Sequence, residues 1–407
     1  MKAPPSKTTR AKTDAPSGIM ALIRTAEIDT RMLTMVTVLI GIWIAMDLLT
    51  QGLFMTSRNL YNLAVQSSVV AIMATGMVLV IVARHIDLSV GSVMGFTGMV
   101  IAWLQVDVFP LGAAWNWPST VLLGLMLGAM IGAWQGYWIS YRAIPAFVVT
   151  LGGLLMFRGF AFLVTDGRTV APMDATYQLL GGGIDGSIGA TWSWICGLVA
   201  IAILGLLTIR QRNSRTAHGF SVKPMWMEIA LFAMWVAVII GFVMVMNSYT
   251  KPRSDIARGI PVPVLALIGV VLVMNMIARR TSFGRHVFAM GGNPQAAELT
   301  GIDVKKMTLI IFVVMGILCG IAAVITTARL NAGANSMGQL AELSVIGGTS
   351  LAGGVGSIAG AILGAVIMQS LENGMVLMGV SSAMRQVVIG LVLLIAVWFD
   401  TLYKQSR

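Results

Sequence analysis

Asp87, Ser89 and Ser92 stand in the run Arg84-His85-Ile86-Asp87-Leu88-Ser89-Val90-Gly91-Ser92, which separates two long apolar segments without a loop of ordinary length. A carboxylate and two hydroxyls at that spacing can hydrogen-bond a polar solute. Interrupted backbone at membrane depth is tolerated where protein buries it or where it lines a watery cavity. Asp87 could equally cap a helix starting at Leu88, its carboxylate accepting from free backbone N–H groups; the two roles are compatible. Thr349 and Ser350 open a second stretch, TSLAGGVGSIAGAILGAVI (349–367), that echoes IDLSVGSVMGFTGMVIAW (86–103). Paired glycine-interrupted segments in two halves of a chain point to a transport path, which adds Thr349 and Ser350 to the path candidates. Arg158, in the middle of an apolar run, either pairs with a carboxylate inside a bundle or reaches outward to the membrane surface.

Covalent chemistry has no visible machinery. There is no Gly-Lys pair, hence no Walker A loop, and no GxSxG elbow. His85, His218 and His286 are scattered without metal-ligand spacing, and Cys196 and Cys319 lie far apart in apolar runs, as small packing residues do. The chain is therefore not expected to be an enzyme, and any ATP chemistry belongs to another subunit. One polar segment is built with unusual definition: Gly291-Gly292-Asn293-Pro294-Gln295-Ala296-Ala297-Glu298-Leu299-Thr300-Gly301. Asn293 is a good N-cap, Pro294 suits the first helical turn and Gly301 stops a helix. A short, rigid, surface-lying helix follows, either a docking element or an ordered connector.

The elements that carry these residues are membrane helices. The chain has 407 residues, 57% of them hydrophobic and 11% charged, with a mean hydropathy of +0.86. Soluble domains carry about 25% charged residues, so a soluble enzyme, a nucleic-acid-binding domain and a disordered regulator are excluded. Crossing a bilayer takes about 20 apolar residues. Eleven such runs occur, near 32–50, 63–83, 88–104, 119–139, 146–164, 191–209, 226–247, 261–278, 307–327, 355–375 and 384–400. With the N-terminus inside, nineteen Lys and Arg fall inside and six outside, a strong asymmetry for that orientation. Both tails being inside requires an even number of crossings, which predicts a twelfth at a broken helix near 340–360. Another broken helix is expected near 84–92. Two glycine ladders, Gly124/Gly128/Gly132/Gly136 and Gly356/Gly360/Gly364, predict faces of close helix packing.

The segments IDLSVGS (86–92), IPAFVVTLGG (144–153), GIPVPV (259–264), FGRHVFAMGGNPQAAELTGI (283–302) and IGGTSLAGGVGSIAGAILGA (346–365) closely resemble the permease subunits of bacterial ABC importers for monosaccharides. The resemblance spans roughly residues 30–400 and is nearest to the xylose type, with ribose and galactose types as relatives. It implies an all-α polytopic protein of about twelve transmembrane helices: a ten-helix core plus an inserted two-helix hairpin at about 175–258. A basic tail (1–31) and a short tail (401–407) flank the membrane domain (32–400), both in the cytoplasm of a cell whose inner membrane holds the chain. It also implies a homodimer, two cytosolic ATPase subunits that carry ATP and Mg, a periplasmic sugar-binding protein, and no cofactor or nucleic acid on this chain. Residues 293–301, within a cytoplasmic loop at 279–306, resemble the coupling helix that enters a groove on the ATPase; Gly291, Gly292, Asn293, Pro294, Ala296, Ala297, Glu298, Thr300 and Gly301 are its candidate residues. The stretch AELSVIGGTS (341–350) is shorter than the usual version, and His85 stands where members often have glycine or an acid. The competing reading is an ion-coupled secondary sugar transporter, which would need titratable carboxylates in the bundle; only Asp87, Asp47 and Glu372 qualify.

Overall fold

Where no water reaches the backbone, every N–H and C=O must be satisfied within its own segment, and apolar runs of this length do so as helices. The computed structural model describes residues 30–220, 222–339, 341–347 and 357–405. Among them are helices joined by short connections, three isolated β-bridges and no strand. All eleven apolar runs are helical: α1 (Thr30–Leu49), α2 (Ser57–Val82), α3 (Val90–Trp103), α4 (Asn116–Ser140), α5 (Ala146–Leu163), α6 (Gly189–Ala217), α7 (Met225–Ser248), α8 (Val262–Arg280), α11 (Val304–Leu330), α13 (Ile358–Leu377) and α14 (Ser382–Gln405). Between α8 and α11 lie the shorter α9 (Ser282–Gly292) and α10 (Pro294–Leu299); α12 (Ala341–Gly347) precedes α13.

Ten of the helices are long and apolar enough to cross a membrane, and α14 contains a shorter apolar stretch, Ser382–Ile395. The expected count of twelve is not reached among the described residues. Of the broken helix expected near 340–360, the described residues include α12, seven residues long, about 10 Å at 1.5 Å each; 340 and 348–356 lie outside them. Irregular chain does much of the travelling. Gly333 lies against Ala102 and Met99, Met337 against Gly95 and Gly98, and Gly338 and Glu342 against Gly91. Residues 333–339 therefore run antiparallel to α3, from its C-terminal to its N-terminal end. Gly91, Gly95 and Gly98 make a notch along one face of α3 that a side chain at any of them would fill.

The expected break at 84–92 is present: α2 ends at Val82 and α3 begins at Val90. Helix α2 is the hub, with 94% of its apolar window buried, whereas α1 shows 6% and the hairpin helices α6 and α7 show 11% each. The first glycine ladder is a packing seam, as predicted. A methyl group built on Gly128 would overlap the Gly316 carbonyl, one on Gly316 the Gly128 carbonyl, and one on Gly132 the Phe312 carbonyl. Helices α4 and α11 thus meet backbone to backbone, the geometry that small residues permit in membranes. The second ladder behaves differently. Gly356 lies outside the described residues, and among them a methyl group on Gly360 would meet only its own neighbour Ser357, at 3.7 Å. No tight seam forms at Gly360, because a spacing of four aligns a face without supplying a partner for it.

Candidate functional site

Asp87 and Ser89 form a closed knot. Asp87 is 2% exposed, and its Oδ1 accepts from the Ser89 backbone N–H at 2.8 Å and from the Ser89 hydroxyl at 2.6 Å. The Gln135 amide on α4 donates to Ser89 Oγ at 2.7 Å, and Thr150 on α5 donates to the Ile86 carbonyl at 3.2 Å. Helix α3 starts two residues later than a cap at Asp87 requires, and its N-cap, Ser89, makes no side-chain capping bond. Asp87 therefore fastens the N-cap residue instead of capping the helix. The interrupted backbone is tied to α4 and α5 by side chains that satisfy one another, which is what burial of polar groups demands.

Ser92 differs from its two neighbours. It is buried, yet its hydroxyl has no hydrogen-bond partner, and the same holds for Thr97 Oγ1 on α3 and for Ser344 Oγ and Glu342 Oε2 on α12. Glu342 packs against Gly91, the residue preceding Ser92. From α5, Arg158 reaches this seam: its guanidinium donates to the Met337 carbonyl at 3.1 Å and lies 4.0 Å from the Glu342 carboxylate. The open question over Arg158 is answered in favour of a carboxylate in the bundle. The pairing has a clear cause: the irregular run 333–339 leaves carbonyls outside any helical ladder, and half-buried Arg158 satisfies that of Met337 while facing an acid. Thr349 and Ser350 lie outside the described residues.

The external helix α10 is built as its sequence implies. Asn293 Oδ1 accepts from the Ala296 N–H at 3.1 Å, and Pro294 occupies the first turn. Gly301 has φ +86°, its N–H donates to the Glu298 carbonyl at 2.9 Å, and the Ile302 N–H donates to the Ala297 carbonyl at 3.1 Å. These two bonds form a Schellman stop, which needs the left-handed conformation glycine adopts freely. The candidate residues divide by face. Ala297 is 4% exposed and Gly291 is buried against the Val82 carbonyl, so both belong to the internal packing. Gly292, Asn293, Ala296, Glu298, Thr300 and Gly301 are exposed and Pro294 half-buried. Leu299, which sequence reasoning passed over, is 90% exposed. Arg84, in a positive-φ conformation (+64°), donates from Nε to the Gly291 carbonyl and from a terminal nitrogen to the Gly292 carbonyl, each at 2.6 Å. It ties the end of α9 to the break after α2.

Loops meet in two sets. Arg84 joins 291–292 on one face; Val170 bridges Gly333, Arg168 pairs with Asp107 and Lys251 with Asp185 on the other. The remaining acids of interest sit at helix ends: Asp47 accepts from the Met55 N–H at 3.0 Å, and Glu372 lies 3.9 Å from Arg385. Among the described residues, no group of three or more His, Cys, Asp and Glu could hold a metal ion.

A bundle of apolar helices with an interrupted, polar segment threaded through it is a multi-pass membrane protein of the transporter kind. Residues 59–397 match the family described as branched-chain amino acid transport system / permease component, and the chain belongs to that permease family. It is similar to the xylose transport system permease protein of Haemophilus influenzae, 40% identical over 363 residues, 88% of this chain and 92% of that one. The xylose transport system permease protein of Escherichia coli is 38% identical over 383 residues, 93% of each chain. The ribose import permease protein of Escherichia coli is 31% identical over 353 residues, covering 85% and 87%. No solved structure matches the chain.

Proposed function

We propose that this chain is the inner-membrane permease of an ATP-driven importer for a pentose, xylose or a close relative. The family description names amino acids, but relatives covering nine-tenths of the chain carry the name xylose, and the ribose permease is further away. The observation that carries the ATP-driven reading is α10. This six-residue helix, fixed by a cap at one end and a glycine stop at the other, presents Leu299 outward as a rigid docking element would. A groove on a cytosolic ATPase is its proposed partner, with Ala296, Glu298 and Leu299 as the contact face. A second permease copy and a periplasmic sugar-binding protein complete the assembly, with ATP and Mg held by the ATPase.

The solute path is proposed along the seam between α3 and α12, where Ser92 and Ser344 offer unpartnered hydroxyls beside Glu342. Asp87 and Ser89 support that path from behind. Both termini are proposed to be cytoplasmic, a reading supported by the Lys and Arg asymmetry and by the return of residues 333–339 along α3. A C-terminal reporter active only in the periplasm should be silent.

Reconstitution tests the function. Vesicles holding the permease with its ATPase should take up xylose only with ATP and binding protein. Uptake driven by a proton or sodium gradient alone would instead make the chain a secondary transporter, and uptake without either a passive channel. Ion coupling is disfavoured because Asp87 Oδ1 is held by Ser89, Asp47 and Glu372 are engaged by Met55 and Arg385, and Glu342 faces Arg158.

A further inference from the structure

A second polar cluster sits where α11 and α13 end and α14 begins, the outer end of the bundle in the proposed orientation. Glu372, in the last two turns of α13, lies 3.9 Å from Arg385 at the start of α14. Arg329, exposed at the end of α11, also attracts that carboxylate. One turn deeper on α13, Gln369 engages Glu372 and donates to the side-chain carbonyl of Gln66 on α2 at 3.2 Å. Gln66 is the tenth residue of α2, about 14 Å along its axis and so near the middle of roughly 30 Å of hydrocarbon. A polar line thus descends from the mouth of the bundle to midplane depth. Side chains of this kind persist inside membrane bundles where they meet one another or a water-filled path.

The cluster satisfies itself only in part. At 3.9 Å the Glu372–Arg385 pair is longer than a hydrogen bond, and the two side chains are about a quarter exposed. Beside them, Arg385 Nε and the Oδ1 of buried Asn373 have no hydrogen-bond partner among the described residues. Orphaned polar groups of this kind call for a missing partner. Helices α11 and α13 both pack on α2 but share no extended contact with each other among the described residues, so their outer ends stand apart. We propose that Glu372, Arg385 and Asn373 form an outer binding station for the solute, a neutral pentose whose hydroxyls donate to the Glu372 carboxylate and accept from the Arg385 guanidinium. Two guanidiniums disfavour a cation and the carboxylate disfavours an anion, whereas hydroxyls that both donate and accept suit the whole set. The proposal rests on the reading of the bundle as a pentose permease, and the station lies apart from the seam at Ser92 and Glu342.

Thiol protection in the full-length permease tests it, with Cys196→Ala as the background. Val376, one turn outward of Glu372 on the same face of α13, is 52% exposed, and Ile256, in an outer loop of the hairpin, is 62% exposed. A water-soluble thiol reagent should modify both Val376→Cys and Ile256→Cys, and xylose should slow the reaction at Val376→Cys alone. Adding Glu372→Gln should remove that protection while Ile256→Cys reacts as before, which shows that the variant is folded. In vesicles with the ATPase and binding protein, Glu372→Gln should lower xylose uptake about tenfold, the loss of one hydrogen bond to a charged group. Protection that survives Glu372→Gln would overturn the station, as would protection by leucine in place of xylose. Wild-type uptake of xylose with no protection at Val376→Cys would overturn it too and leave the parent reading standing. Protection without ATP-driven uptake by the wild type would do the reverse.

Discussion

Replacing Arg158 by leucine removes the one cation that faces Glu342 among the described residues and the donor to the Met337 carbonyl. At 4.0 Å two unit charges attract by about 4 kcal/mol with an effective dielectric near 20. Partial exposure of the side chains, 27% for Arg158 and 14% for Glu342, reduces the net effect by screening, to about 2 kcal/mol. The orphaned carbonyl adds about 1 kcal/mol. Arg158→Leu should therefore destabilise the bundle by about 3 kcal/mol, near the lower end of what breaking a buried pair costs. An unfolding entropy of about 2.1 cal/mol/K per residue gives roughly 0.85 kcal/mol/K for a chain of 407 residues. The melting temperature of the detergent-purified permease should then fall by about 3–4 °C. Adding Glu342→Gln removes the stranded charge, so the double variant should lose only about 1–2 °C. Differential scanning fluorimetry on the four proteins of the cycle reads both values. If Arg158→Leu melts with the wild type, or the double variant is no more stable than the single, the pair does not brace residues 333–342.

Further outcomes follow from the same contacts. Asp87→Ala should cost about 2–3 kcal/mol by stranding the Ser89 hydroxyl and N–H, and Asp87→Asn, which keeps an acceptor, about 1 kcal/mol; thermal melts that rank the two equally would count against the knot. Gly128→Val should abolish membrane-level protein because its side chain meets the Gly316 carbonyl, while Gly360→Ala should be tolerated in open space, as blotting of membrane fractions will show. Leu299→Glu and Ala296→Trp should leave the melting temperature unchanged but uncouple ATP hydrolysis from uptake. Ala297→Trp should lower the melting temperature, since that residue faces the permease's own interior; a reversed pattern would put the docking face on the other side of α10.

Local chemistry was legible in the order of residues. Hydropathy placed all eleven apolar helices, because burying a run of that length leaves the backbone no other solution. Caps and stops placed α10, because Asn293, Pro294 and Gly301 act on residues no more than a few positions away. The glycine ladder on α4 was readable as a face, yet its partner, Gly316 and Gly320 of α11, lies nearly two hundred residues further on. Tertiary structure alone decided what depends on such distant pairings. It separated Asp87 and Ser89, bonded to each other and through Ser89 to Gln135, from Ser92, which is left unpartnered among the described residues. It brought Arg158 to Glu342, and it turned Ala297 inward while leaving Leu299 bare. It also laid the chain around Met337 and Gly338 into the notch of Gly91, Gly95 and Gly98. Periodicity shows which side of a helix is small or polar, but the neighbour that fills a notch, accepts a proton or neutralises a charge arrives only when the helices pack.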